Sequence, residues 1–433
     1  MKRIRIYTAV LLITALAANA IGCSAEPGTN VPTPIATVKN VPTPIATVKA
    51  VNLMNGISSD NVSGRDVDNE FSASIADFSI ELFKKSISGM ESSLISPLSV
   101  LLALAMTANG ARGETLAQME ELLGGGIPLE ELNEYLYSYM AGLPSTEGSR
   151  LHSANSIWFR EDLSVEDEFL QTNADFYNAA AYSSAFDEQT ETDVNNWVNL
   201  NTDGMIERIL NDGDIEQFCM ILINAIAFEA EWQNVYHTED IRNGTFTDIN
   251  NKTQNVRYMH SNEWKYLEDG SATGFIKPYT DGYSFVALLP NEGVPIDEYI
   301  ESLTGEGFLD TLRGAQHTTV SATMPKFEYA YSIMMKEPLI DLGIPDAFDS
   351  GRADFKRIVA SPGIWIDEVL HKTFISVDEL GTRAGAVTMV AMTSGGMMPS
   401  EIKTVTLDRP FVYAIIDNAT SLPIFIGTLL TVH

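Results

Sequence analysis

Apolar residues recur at three- and four-residue intervals in "FSASIADFSIELFKKSI" (71–87), where Phe71, Ile75, Phe78, Leu82 and Phe83 share one face. That spacing predicts an amphipathic helix lying on a core. The next run, "SPLSVLLALAMTANGA", is almost wholly apolar from Pro97 to Ala108. Ser96 is placed to cap it and Pro97 to fill its first turn, so a buried helix is expected. "GETLAQMEELLGGG" predicts a third helix, starting near Gly113 to Thr115 and stopped by three glycines. From about Leu151 the texture changes. "LHSANSIWF", "FCMILINAIAFEAEW", "GTFTDI", "TGFIKPY", "YSFVALLP", "TTVSATMPKFEYAYSI", "KTFISVDE" and "FVYAIID" read as strands, separated by helical stretches such as "DVNNWVNLNTDGMIERIL". The class is therefore mixed α+β, and no turn signal or composition shift between 66 and 433 cuts the chain into separate domains.

Upstream of Asp66 the pattern is of another kind. Lys2, Arg3 and Arg5 precede a short apolar stretch, the form of an export signal over residues 1–22. "AIGC" ends that signal at Cys23 and resembles a bacterial lipoprotein cleavage site, which marks Cys23 for lipidation; an ordinary secretory signal with an incidental cysteine is the alternative. "VPTPIATVKN" is followed at once by "VPTPIATVKA", a tandem decapeptide whose Pro-Thr composition favours an extended, solvated spacer. Residues 23–65 thus read as a tether and 66–433 as the globular domain. The chain is expected to be exported, as a cell-surface lipoprotein or in the extracellular space.

With 58 acidic against 27 basic residues the formal charge is -31, which argues against nucleic acid and against anionic membrane surfaces as electrostatic partners. The membrane is reached only through the N-terminal lipid. Besides Cys23 the chain holds one cysteine, Cys219, set in an apolar run. With Cys23 lipidated no disulfide forms within the chain, and the core alone must hold the fold. No nucleophile elbow, zinc-protease motif, phosphate loop or Cys-x-x-Cys pair is present. The six histidines stand at no metal-ligand spacing. Neither an enzyme, a cofactor nor a metal is indicated.

One stretch is odd in so acidic a chain. Residues 384–398 carry no charge, no proline and no bulky aromatic side chain. As an exposed loop such a segment is a hazard, because it can pair with any open sheet edge.

The order of motifs accounts for it. "ISPLSVLLALAMTANGARGETLAQM", "ANSIWF", "LINAIAFEAEW", "MPKFEY", "LIDLGIPDAF", "HKTFISVDELGTRAGAVT" and "DRPFVYAIIDNATSLPIFIGTL" follow one another from about Phe71 to Val432, and together they resemble the serpin family. That resemblance implies three β-sheets, eight or nine helices and an exposed reactive-centre loop. It also implies suicide inhibition of a serine or cysteine protease, held covalently by a monomeric inhibitor. The protease attacks the loop, the cleaved loop inserts into the large sheet, and the acyl-enzyme is trapped. In a strand, alternate side chains point to opposite faces. An inserted loop puts Thr382, Ala384, Ala386, Thr388, Val390 and Met392 on one face, while Arg383, the sole charge, falls on the other.

The resemblance also assigns residues. Glu379, Gly381, Thr382, Ala384, Ala386 and Thr388 form the loop hinge. Ser96, Ser99, Asn224 and His371 match the polar cluster beneath the point where the large sheet opens, and Trp232 and Lys326 match the top of that sheet. Family spacing sets Gly395 before Gly396 as the attacked bond, within a window of Thr393, Ser394, Gly395, Gly396, Met397 and Met398. That window offers no Lys or Arg to a trypsin-like specificity pocket, so an elastase-like or subtilisin-like target is expected. Gly385 and Val387 depart from the family's alanine run, but neither is a proline or an inward charge, and inhibitory competence is expected. A non-inhibitory member acting as a surface binding or structural protein is the second reading.

Overall fold

The computed structural model describes residues 47–432, apart from Ser88, Glu147, Asp212, Asp214, Glu216, Pro362 and 383–401. Among the described residues the α-helices are α1 (Asn69–Lys85), α2 (Pro97–Ala108), α3 (Gly113–Gly124), α4 (Leu129–Gly142), α5 (Asp167–Tyr177), α6 (Glu188–Asn201), α7 (Ile296–Ser302), α8 (Gly305–Arg313) and α9 (Lys336–Asp341). Strands β1 (Val51–Asn52), β2 (Leu94–Ile95), β3 (Ser149–Arg160), β4 (Ala180–Ser184), β5 (Met220–Glu231), β6 (Ile241–Thr247), β7 (Thr253–Glu268) and β8 (Ala272–Pro278) come first in the chain. The rest are β9 (Tyr283–Pro290), β10 (Gln316–Pro325), β11 (Phe327–Met334), β12 (Glu368–Val377), β13 (Gly381–Thr382), β14 (Ile402–Thr406), β15 (Phe411–Asp417) and β16 (Pro423–Leu429). Among the described residues no helix is long and apolar enough to cross a membrane.

Hydrogen bonds join these strands into a seven-stranded sheet, ordered β1-β4-β3-β5-β13-β12-β11, and a nine-stranded one. The nine-stranded sheet runs β14-β10-β7-β8-β9-β15-β16-β2, with β6 on β7. The three expected sheets appear as two because β7, sixteen residues long, pairs with β6 and β10 along one part and with β8 at its end, so two of them are continuous.

Helix α2 lies wholly buried, and the Ser96 side chain accepts from the Ser99 amide at its start. Strand β5 divides the interior. Its even-numbered residues Leu222, Ile226, Phe228 and Ala230 face the main core, whereas Ile221, Ile223 and Ala225 pack with Trp197 and Val198 of α6 on the other face.

Two boundaries differ from expectation. The helix predicted through Leu210 stops at Asn201, because the Thr202 hydroxyl bonds back to the Val198 carbonyl at 2.8 Å and Asp203 and Gly204 take positive φ values of 48° and 76°. The folded body also begins before Asp66: β1 pairs with β4, and the amides of Lys49 and Ala50 donate to Asp193 at 3.0 and 2.7 Å. Residues 47–65 therefore belong with the body rather than with a free spacer: Lys49 and Ala50 donate to a buried carboxylate of α6, the Leu53 amide to the Ala181 carbonyl and the Arg65 amide to the Glu134 carbonyl.

Candidate functional site

Strands β5 and β12 run parallel and are paired directly only over Ile221–Ile226 and Glu368–Thr373. Beyond that stretch they separate, and β13 is wedged between them. Gly381 stands opposite Glu231 and Thr382 opposite Ala230 on one side, and Thr382 stands opposite Val377 on the other. Glycine is required at 381: a Cβ there would lie 2.0 Å from the Ala230 carbonyl oxygen. Thr382 is 1% exposed, and its hydroxyl meets the Tyr279 hydroxyl at 2.6 Å beneath the sheet. Burial pushes the Tyr279 phenol well above its ordinary pKa, so it stays neutral and available as a donor.

The turn before β13 is held from outside. The Asp378 carboxylate accepts from the Leu380 amide at 2.8 Å, and the Asp378 carbonyl accepts from the Trp232 indole at 2.8 Å. The amides of Trp232 and Tyr236 donate to the carbonyls of Leu380 and Glu379, both at 2.9 Å. Glu379 pairs with Lys326, which holds its carboxyl below the usual range. Trp232 stacks on Tyr279 with ring centroids 4.4 Å apart, and the buried Lys277, paired with Glu263 at 3.0 Å, lies over Trp232 and Tyr236.

Midway down the seam is a polar cluster. His371 of β12 is in register with Asn224 of β5, which is in register with Asn155 of β3. The Nδ1–H of His371 donates to Asn224 Oδ1, and His371 Nε2 accepts from the Ser96 amide at 3.0 Å. This arrangement fixes the neutral tautomer, because a second ring proton would face the Ser96 N–H. Burial correspondingly lowers the His371 pKa to about 3. Asn224 Nδ2 donates to Ser99 Oγ at 2.6 Å and to Asn155 Oδ1 at 2.7 Å, while Ser96 Oγ donates to the Ile424 carbonyl at 2.7 Å. Five side chains from four elements thus bridge the two strands that flank the wedge and the helix beneath them.

Of the residues singled out from the sequence, the structure brings together Ser96, Ser99, Asn224 and His371 in the middle of the seam. It gathers Trp232, Lys326, Glu379, Gly381 and Thr382 at its top. Cys23 and residues 384, 386, 388 and 393–398 lie outside the described residues. Sequence reasoning passed over Asn155, Tyr279 and Lys277. Asn155 sits two residues before Ile157 within a strand-like run, and only its register with Asn224 distinguishes it. Among the described residues no group of His, Cys, Asp and Glu is arranged to hold a metal ion.

A protein-family model described as Serpin (serine protease inhibitor) matches residues 73–432. An uncharacterized serpin-like protein of Thermococcus kodakarensis is 30% identical over 366 residues, covering 82% of this chain and 84% of its own length. Leukocyte elastase inhibitor A of Mus musculus is 28% identical over 367 residues, covering 81% and 96%. Among solved structures, the thermophilic serpin tengpin in its native state is 52% identical with a TM-score of 0.85, covering 89% of this chain and 100% of its own. Tengpin in its latent state gives a TM-score of 0.76 with 86% of this chain covered.

Proposed function

The chain belongs to the serpin family, and from that premise we propose that it is a suicide-type inhibitor of a serine endopeptidase. The protease serine attacks a bond within 393–398, the new amine end departs with the C-terminal segment, and an ester joins the protease to the shortened loop. Insertion of the loop between β5 and β12 then carries the protease away before water hydrolyses that ester. Inhibition is a race between insertion and deacylation.

The observation that carries this reading is the wedge itself: Gly381 and Thr382 already lie between the parted strands, with Thr382 buried on the core side. Continuing its two registers puts Ala384 between Phe228 and Ile375, Ala386 between Ile226 and Thr373, and Thr388 between Asn224 and His371. Phe228, Ile226 and Ile375 belong to the main core, so the small even-numbered residues enter it and Arg383 stays on the outer face between Glu229 and Ser376. Thr388 supplies a hydroxyl that accepts from His371 and donates to Asn224, replacing the bond that insertion breaks. Met392 reaches the foot of the seam, opposite Met220 and Asp367.

The uncharged window favours an elastase-like or subtilisin-like target over a trypsin-like one, and the inhibitor acts as a monomer. The export signal and "AIGC" support delivery to the cell surface with a lipid on Cys23. Incubation with a panel of proteases, resolved on denaturing gels with mass spectrometry, tests the function. A gel-stable adduct with elastase or subtilisin, and a released peptide starting within 394–399, is expected. Clean cleavage without adduct overturns the proposal in favour of a non-inhibitory surface protein, and rapid adduct formation with trypsin alone overturns the specificity.

A further inference from the structure

At the foot of the seam, at the opposite end from the wedge, β5 and β12 are joined by a side chain rather than by ladder bonds alone. Asp367 immediately precedes β12, and Cys219 immediately precedes β5. One carboxylate oxygen of Asp367 accepts from the Cys219 amide at 2.6 Å and the Met220 amide at 3.0 Å, and the Asp367 amide donates to the Met220 carbonyl at 3.0 Å. The Cys219 carbonyl in turn accepts from Arg160, the last residue of β3, at 2.9 Å. Asp367 is buried, and burial beside this carboxylate pushes the Cys219 thiol up to about 12, so the group facing it is a neutral donor.

We propose that Asp367 is a positioning residue that holds the foot of the insertion seam shut and so sets how far the large sheet opens. The proposal rests on the insertion reading above. An entering strand replaces each ladder bond between β5 and β12 with one of its own, because its backbone offers the same donors and acceptors. It offers no carboxylate. The two amides gathered on Asp367 must therefore be released as the foot parts, and parting two buried donors from their acceptor makes that release costly. Opening from the top meets the Asn224–His371 bond first and the Asp367 clasp last, at the level that the end of the inserted segment reaches. The clasp thus slows insertion in the intact molecule.

Asp367→Ala strands two buried amides and is expected to raise the rate of insertion without cleavage by about 10- to 100-fold. Asp367→Asn keeps an acceptor oxygen and is expected to stay within a few-fold of wild type. Intact wild type and both variants are held at raised temperature, and the fraction with a cleavable loop is followed. Hydrogen exchange of the Cys219 and Met220 amides is measured by mass spectrometry on the same samples. Faster exchange and faster loss of the cleavable loop in Asp367→Ala, both restored in Asp367→Asn, support the clasp. Unchanged exchange and rate in Asp367→Ala, or Asp367→Asn behaving like Asp367→Ala, overturn it. Should the alanine variant not fold, Asp367→Ser, whose shorter side chain withdraws the acceptor oxygen from the two amides, carries the same comparison. If insertion itself is misassigned, cleaved wild type gains no thermal stability, whereas the amide exchange still reports on the clasp.

Discussion

Replacing Thr382 with arginine puts the proposed register under direct strain. Thr382 is 1% exposed, its hydroxyl bonds Tyr279 at 2.6 Å, and the nearby Asp378 and Glu379 carboxylates are already engaged by Leu380, Gly381 and Lys326. A guanidinium left there without a partner costs several kcal/mol even after relaxation. The side chain has an escape: β13 can leave the sheet. That route gives up the Tyr279 bond, the ladder pairing of β13 and the bonds to the Leu380 and Glu379 carbonyls, at about 1 kcal/mol each, so roughly 4 kcal/mol bounds the penalty. At about 1.4 kcal/mol per decade, insertion slows by up to about a thousandfold. Deacylation then wins most encounters. Thr382→Arg is expected to be cut at the same bond as wild type, to yield little adduct and to release active protease. Arg383→Glu is the control: on the outer face its new charge lies across from Glu229, a like-charge pairing worth about 0.2–1 kcal/mol, and insertion slows no more than about fivefold. The assay counts inhibitor molecules consumed per protease trapped. Efficient inhibition by Thr382→Arg, or a worse defect in Arg383→Glu, refutes the register.

Three further outcomes are expected. Gly381→Ala places a Cβ 2.0 Å from the Ala230 oxygen and expels β13, so the Trp232 and Tyr236 amides exchange at least tenfold faster; unchanged exchange removes the wedge from the account. His371 has a folded pKa near 3, below the ordinary 6.5, so the unfolded chain takes up a proton that the folded one refuses. Its contribution is complete above about pH 6.5 and is lost as pH falls towards 3, about 2 kcal/mol by pH 5. Urea midpoints of wild type and His371→Gln should therefore converge between pH 7 and pH 5, and parallel pH dependences contradict the tautomer assigned here. Metabolic labelling with a radiolabelled fatty acid should mark wild type and not Cys23→Ser, and label retained by the variant removes the lipoprotein reading.

The N-terminal helices were legible because their signals are local. Ser96, Pro97 and an unbroken apolar run define α2 without reference to the rest of the chain. Local signals fail where distant partners decide. Residues 47–65 look like spacer, yet Lys49 and Ala50 dock through backbone amides on Asp193, a contact no residue pattern announces. Strand β7 was missed because its buried positions do not alternate: Tyr258 and Met259 are both buried, as are Tyr266 and Leu267, so the period of two is lost. At the site, the family resemblance named Asn224 and His371, but their bond follows from the parallel register of β5 and β12. Tyr279 had no signal at all. It matters because it lies under Thr382, and that adjacency exists only once β13 is seated.

The central claim is that the cleaved loop becomes a strand between β5 and β12. Thermal unfolding of the intact protein and of the same protein cleaved within 393–398 tests it most directly. A higher midpoint is expected after cleavage, because the segment from Thr382 to Met392 then completes the large sheet and buries its even-numbered side chains in the core. A midpoint that stays the same or falls on cleavage would contradict it.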